Sequence, residues 1–242
     1  MKDIDRKMYE KYITLHRADE ESLSSFEDIQ KKINTPWALR IILDTIWKDD
    51  YTRVLDLACG YGRFATYAQS KGIKDYIGVD ISGESLDVAK KLFPSFTFVK
   101  DEILSFLGEN TEKFDFIYMC HLFEHFELEE QLELLELIKT HLTSNGIFIN
   151  IMINMDAYFK SGGLYGDITH KAFHNETSLN QLLLMAGFDY KKISHVNKPV
   201  GNNWWQNAVH RLVIPFFHFF VRVLGYNKRR IYSQHIISII KK

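Results

Sequence analysis

Residues able to do chemistry gather in separate clusters along this 242-residue chain. Val54 to Phe64 reads V-L-D-L-A-C-G-Y-G-R-F, an apolar half holding the single Asp56 and then Gly60 and Gly62 two apart. Glycines so placed, just before the helix-like run Phe64 to Lys71, let the backbone turn sharply and come close to a ligand. The three-glycine spacing of the dinucleotide turn is absent; Ala58, Gly60 and Gly62 alternate, which points to another nucleoside ligand. Asp80 closes the next apolar run, where a carboxylate can accept hydrogen bonds from both ribose hydroxyls or, more simply, cap the following helix. His121, Glu124 and His125 are spaced i, i+3, i+4, which on one helical turn brings all three within reach of a divalent ion. Tyr165 to His170 (Y-G-D-I-T-H) gathers Asp167, Thr169 and His170 in a loop. A carboxylate, a hydroxyl and an imidazole there can point into one cleft, or Asp167 and His170 can simply staple the loop.

The elements that must position these residues alternate. Polar residues 1 to 34, with scattered aromatics, predict helices over the cleft; Pro36 opens an amphipathic helix from Trp37 to Trp47 with Leu39, Ile42, Leu43 and Ile46 on one side. Strands are expected at Val54–Leu57, Tyr76–Val79, Phe96–Lys100, Phe114–Met119, Ile147–Ile153, Lys191–Val196 and Ser233–Ile240. Ser82 should cap the helix Glu84–Leu92. A later helix has the stripe Leu128, Leu132, Leu135, Ile138 and Leu142, Asn145-Gly146 turns the chain into the fifth strand, and Thr177 opens a helix closed by Gly187. Strand and helix alternating in this way imply an α/β, doubly wound, mostly parallel sheet with ligands at the carboxyl ends of its strands. One domain over 1–242 is expected, with a helical cap at 1–50 and a helical insertion at 198–230.

Composition narrows the partners. Two cysteines, Cys59 and Cys120, exclude a disulfide framework or a four-thiolate zinc site and suit small buried packers. The charged start lacks a secretory signal and no run reaches the roughly 18 apolar residues of a membrane span, so a cytoplasmic protein is expected. No acidic residue follows Asp189 while ten Lys and Arg do, so a net charge of −1 leaves −11 on the first 189 residues. Such a basic, aromatic-rich end suits an anionic partner or is a solvated face that balances the acidic body. Within it, residues 208–224 form an amphipathic helix with Leu212, Val213, Phe216, Phe219, Phe220 and Val223 on one face; it could lie in a membrane interface, pack on the domain, or form a homodimer.

The stretch Asp56-Leu57-Ala58-Cys59-Gly60-Tyr61-Gly62 resembles motif I of the class I S-adenosylmethionine (SAM) dependent methyltransferases, D-x-G-x-G-x-G, with Ala58 where the first Gly is commonest. A Cβ is tolerable there if the residue keeps a negative φ. The resemblance covers about Tyr9 to Lys242 and implies a seven-stranded sheet of order 3-2-1-4-5-7-6 with the last strand antiparallel. It implies SAM as cofactor, with Ala58, Cys59, Gly60 and Gly62 under the methionine part, Asp80 at the ribose, Asp101 or Glu102 with Ile103 at the adenine, His121 lining the site, and Asp56 and Ile81 among the cofactor-binding residues.

The segment G-D-x-T-H followed by F-H-x-x-T-S-L resembles methyltransferases of bacterial O-antigen, capsule and other glycan pathways, with His174 where a Thr is usual. It implies an O-methyltransferase acting on a sugar hydroxyl or a sugar-borne phosphate-type group, His170 as base steadied by Asp167, and a small-molecule or glycan acceptor rather than nucleic acid. Quinone-pathway and terminal-ribose methyltransferases carry a similar E-x-x-E-H that binds a metal. His121 replaces the first Glu here, so no metal is expected, although Glu124 and His125 are the candidates. A metal-dependent enzyme of that type, or a SAM-binding partner subunit without turnover, are the alternatives.

Overall fold

The computed structural model describes residues 26–157, 167–197 and 233–242, together with scattered helical positions between 208 and 223. The expected N-terminal helices before residue 26, most of the 198–230 insertion, and Tyr165 and Gly166 of the loop lie outside the described residues.

Helices α1 (Phe26–Lys32) and α2 (Trp37–Ile46) precede β1 (Arg53–Leu57), α3 (Ala65–Ser70), β2 (Asp75–Asp80), α4 (Gly83–Leu92), β3 (Thr97–Lys100) and α5 (Ile103–Glu109). After β4 (Phe114–Cys120) come a 3₁₀ turn (Phe123–His125), α6 (Leu128–His141), β5 (Leu142–Ile153), α7 (Glu176–Met185), β6 (Ile193–Asn197) and β7 (His235–Lys241). The strands form one seven-stranded sheet of order β3-β2-β1-β4-β5-β7-β6, parallel except for β7, which is antiparallel to both β5 and β6. Both the order and the antiparallel strand are those expected.

β1 is buried on both faces from Val54 onward, where its side chains are apolar except Asp56. Val54 joins a cluster with Leu39, Leu43, Phe64, Tyr67 and Tyr76 on one side of the sheet, while Leu55 and Leu57 join Phe106, Leu134, Leu135, Ile138 and Leu179 on the other. Strand order reverses at β1, so the chain leaves β1 and β4 in opposite directions and opens a crevice at their carboxyl ends.

Several expectations are corrected. The buried stripe of α6 is Gln131, Leu134, Leu135, Ile138 and His141, with Leu128 exposed. Burial of a polar residue is possible because Gln131 Nε2 donates to the Phe123 carbonyl at 2.8 Å and its Oε1 accepts from His174 Nε2 at 2.8 Å. β5 starts at Leu142 without a preceding turn, and Asn145-Gly146 sits inside it at a shift of register against β4. A Cβ on Gly146 would come within 3.0 Å of the Phe114 carbonyl oxygen, so the irregularity needs a glycine. The cap of α7 is Asn175, whose side chain accepts from the Thr177 and Ser178 N–H groups, so Thr177 lies inside the first turn.

Candidate active site

A cavity of about 560 Å³ opens at the carboxyl ends of β1 to β4. The end of β1 contributes Asp56, Ala58, Cys59, Gly60 and Tyr61; the end of β2 contributes Asp80, Ile81 and Ser82; the segment after β3 contributes Asp101 to Leu104; and the segment after β4 contributes Cys120, His121, Leu122 and His125. Every cofactor residue expected from the sequence lines it except Gly62. That glycine has φ +88, and a Cβ on it would meet the Phe93 ring at 2.8 Å, so it serves packing of the turn.

The glycine loop is held by Asp80. Its Oδ2 accepts from the Gly60 N–H and its Oδ1 from the Ser82 N–H, each at 2.8 Å. Gly60 has φ +53 and open space where its Cβ would stand, so a ligand can approach the backbone there. Ala58 also lies in the left-handed region, at φ 59, which contradicts the negative φ expected of a residue with a Cβ. The chain must leave β1 in a turn tight enough for the Cys59 N–H to reach the Val79 carbonyl at 3.1 Å, and the strain falls on Ala58. His121, at the end of neighbouring β4, is likewise at φ 53.

Two carboxylates give the cavity an acidic floor. Asp56 is buried, accepts from Tyr76 Oη at 2.5 Å, and has its pKa pushed up to about 8 by burial, with Asp80 adding to the rise. Burial also raises Asp80, against the backbone N–H groups that favour its charge. Asp101 and Glu102 both line the cavity, and Asp101 Oδ1 accepts the Glu102 N–H at 2.7 Å. A cationic nucleoside ligand bearing an ammonium and a sulfonium fits this donor set: carboxylates for its charge and ribose, a backbone cradle at Gly60, and Ile81, Ile103 and Leu104 for an apolar ring.

At the other end stand the imidazoles. His121 does not share a helical turn with Glu124 and His125 as its spacing suggests, because the 3₁₀ turn starts at Phe123. Even so, its Nδ1 lies 3.1 Å from Glu124 Oε1. Burial pushes the Glu124 carboxyl up, but the hydrogen bond and charge of His121 outweigh it and hold its pKa below the usual value. An ionised carboxylate only accepts, so the Nδ1 of His121 donates to it, and it is Nε2 that could take a further proton. The His121 side chain is 42% exposed, whereas that of Glu124 is fully buried.

His125 contacts Thr169, whose hydroxyl donates to Asp167 Oδ1 at 2.5 Å; its oxygen therefore accepts from His125 Nδ1 at 2.9 Å. Burial holds the His125 pKa below its ordinary value. His170 lies against His125, ring centres 4.8 Å apart, and neither it nor Asp167 lines the cavity. His174 is buried between Gln131 and Ser178 and ties α6 to α7. Cys59 is buried and Cys120 half-buried, both at the cavity wall as small packers. Sequence reasoning missed Thr35, Ser85, Tyr118 and Lys171 in the lining. Only Lys171 had a signal, its place beside His170 in the loop.

Residues 54–146 match the family described as Methyltransferase domain. No curated protein matches the sequence. Among solved structures, a SAM-dependent methyltransferase from Archaeoglobus fulgidus is similar, with 21% identity and a TM-score of 0.66, over 96% of this chain and 100% of that one. The plantazolicin methyltransferase BamL, solved with a triazolic desmethylPZN analog and S-adenosylhomocysteine (SAH), is similar at 16% identity and a TM-score of 0.58, over 99% of this chain and 94% of that one. A phosphoethanolamine N-methyltransferase from Haemonchus contortus, solved with phosphomonomethylethanolamine and SAH, shares 18% identity and a TM-score of 0.57, over 84% of this chain and 51% of that one. The fold is the Rossmann-like methyltransferase fold. With a methyltransferase domain at its centre, the chain is an enzyme of the SAM-dependent methyltransferase class, and SAM is its cofactor.

Proposed function

We propose that this SAM-dependent methyltransferase is an O-methyltransferase whose acceptor is a sugar hydroxyl, or a sugar-borne phosphate-type group, in bacterial surface-glycan assembly. The observation that carries the chemistry is the His121–Glu124 pair at the end of the cavity away from Asp80. The acceptor class is supported by the G-D-x-T-H loop, whose Lys171 reaches the same cavity and could hold an anionic group on the acceptor.

In this reading Asp80 accepts from the ribose hydroxyls, Asp101 or Glu102 meets the adenine amino group beside Ile103, and Asp56 faces the ammonium of the methionine part. When bound, the cofactor supplies an electrophilic methyl group on a sulfonium. The fold's task is to hold acceptor oxygen and methyl in line and to remove a proton. His121 Nε2 would take the proton of an acceptor hydroxyl held in line with that methyl group, whose transfer would leave a neutral thioether. Buried Glu124 fixes the ring and stabilises the imidazolium. His170, first in line as base from the sequence, stands behind His125, so its reading shifts toward support of that ring.

Kinetics test the assignment. With acceptor methylation as readout, His121→Ala should lower kcat by about 10²- to 10⁴-fold, the usual share of a general base, and leave SAM affinity nearly intact. Asp80→Ala should instead weaken SAM by about 2–3 kcal/mol. If His121→Ala turns over at the parent rate while His170→Ala does not, the base is His170.

A further inference from the structure

We propose that Arg63, where the chain leaves the glycine turn, holds the carboxylate of the cofactor's methionine part, and that Thr35, in the link between α1 and α2, positions it. The observation that carries this is a pair of opposite charges that do not meet. Asp56 and Arg63, at the two ends of the turn, both line the cavity, yet Asp56 bonds to Tyr76 and no carboxylate pairs with Arg63 among the described residues. An ammonium and a carboxylate carried on one carbon are the complement of such a split pair: Asp56 suits the first and Arg63 the second.

The turn and the link together set the guanidinium. Its Nη2 donates to Tyr61 Oη at 2.9 Å, and its central carbon stands 5.8 Å from the centre of the Tyr61 ring. That is the one side-chain hydrogen bond of Arg63 among the described residues, so most of its planar fork is open to a ligand. The Arg63 carbonyl accepts from the hydroxyls of Thr35 at 2.9 Å and Thr66 at 2.8 Å, and the Thr35 N–H donates to Thr66 Oγ1 at 3.1 Å. Thr35 is fully buried and lines the cavity with the following Pro36. A buried hydroxyl bonded to the backbone of an exposed arginine fixes where that side chain starts and ties the link to this end of the cavity. Burial raises the Tyr118 hydroxyl well above its ordinary pKa and the charge of Arg63 opposes the rise, so that charge is felt at the cavity wall.

Lys171, the other permanently charged cation in the described lining, comes from the loop bonded to the Glu124 turn, which leaves Arg63 as the cation beside the glycine turn. The assignment concerns the cofactor alone. It rests neither on the acceptor nor on His121 as base, so it and the proposed O-methylation fail separately.

The test is calorimetric titration of the full-length protein, without acceptor, with SAH and with its decarboxylated analogue, which keeps the adenosine, the thioether and the ammonium. The parent should bind SAH about 10- to 100-fold more tightly than the analogue, the share of a charge-assisted hydrogen-bonded pair. Arg63→Met should bring the two to within about threefold by weakening SAH, with the affinity of the analogue little changed. Arg63→Lys, which keeps the charge but not the fork, and Thr35→Val, which keeps the N–H but not the hydroxyl, should each lose part of the preference. Circular dichroism checks folding of each variant, and the two Arg63 variants decide if Thr35→Val does not fold. A parent that does not distinguish SAH from the analogue, or Arg63→Met with the parent's preference, overturns the assignment; a raised acceptor KM in that variant would then give Arg63 to the acceptor. Folded Thr35→Val with the parent's preference overturns the positioning role of Thr35.

Discussion

Ala58 is held at φ 59 where the related motif has glycine most often, and the strain it carries is measurable. A left-handed conformation costs a residue with a Cβ about 1–2 kcal/mol, partly offset by the greater entropy that glycine loses on folding. Ala58→Gly should therefore stabilise the protein by about 1 kcal/mol and raise its melting temperature by about 2–4 °C. A melting temperature unchanged or lowered in differential scanning calorimetry would show that the turn is not strained. Asp56 offers a second residue-scale test. Its pKa of about 8 lies above the ordinary carboxyl value because of burial, so in the empty protein it is largely protonated at pH 7. For this group stability is highest at low pH and declines as pH rises from the ordinary carboxyl range through about 8. An ammonium beside Asp56 favours the carboxylate, so SAM binding at pH 7 should release a proton and tighten as pH approaches 8. Calorimetry in two buffers of different ionisation enthalpy reads that proton; Asp56→Asn should abolish its release. At this scale the glycine loop and Asp80 were legible, because strand, turn and acid are local signals. The φ of Ala58 and the distance of His170 from the cavity were not, since each depends on how separate segments meet.

Elements were legible wherever local pattern and tertiary contact agreed. Ser82 caps α4 by accepting the Ser85 N–H, as its type and place predict. The pattern misled where a polar residue is buried with its partner: Gln131 turns α6 away from the stripe its leucines suggest, and the partner, His174, is 43 residues along the chain. The spacing of His121, Glu124 and His125 foretold their neighbourhood but not its geometry, because β4 ends in a left-handed residue instead of entering a helix. One element remains without a partner among the described residues. Between 208 and 223 the helical positions Val209, Leu212, Val213, Phe216, Phe219, Phe220 and Val223 are all more than half exposed. They fall at helical spacing on one stripe, in a chain end that holds ten Lys and Arg and no acidic residue after Asp189. No described helix is long and apolar enough to cross a membrane. Apolar stripe and positive surroundings together propose an anionic lipid surface as the occupant. The protein should float with vesicles containing phosphatidylglycerol, less so at high salt, and Phe216→Glu with Phe219→Glu should end it. A protein that stays at the bottom of the gradient, with a concentration-dependent dimer in ultracentrifugation, would assign the stripe to a second copy.

For the whole molecule, alternation of strand and helix was enough to reach a doubly wound sheet, while the strand order came from likeness to known methyltransferases, and the structure agrees with both. The order matters for function because reversal at β1 puts Asp56, Gly60, Asp80, Asp101 and His121, from four separate strand ends, on one cavity. The acceptor is the level at which local residues say least: its recognition rests on a lysine, a few imidazoles and a loop partly outside the described residues. The most direct measurement is mass spectrometry of nucleotide-sugar and glycan fractions incubated with the protein and SAM carrying a labelled methyl group. One labelled methyl on an acceptor oxygen is expected for each SAH formed, lowered in Asp80→Ala unless SAM is raised and strongly slowed in His121→Ala at any SAM concentration. Label on nitrogen, on a quinone or on RNA, with none in the sugar fractions, would contradict this expectation.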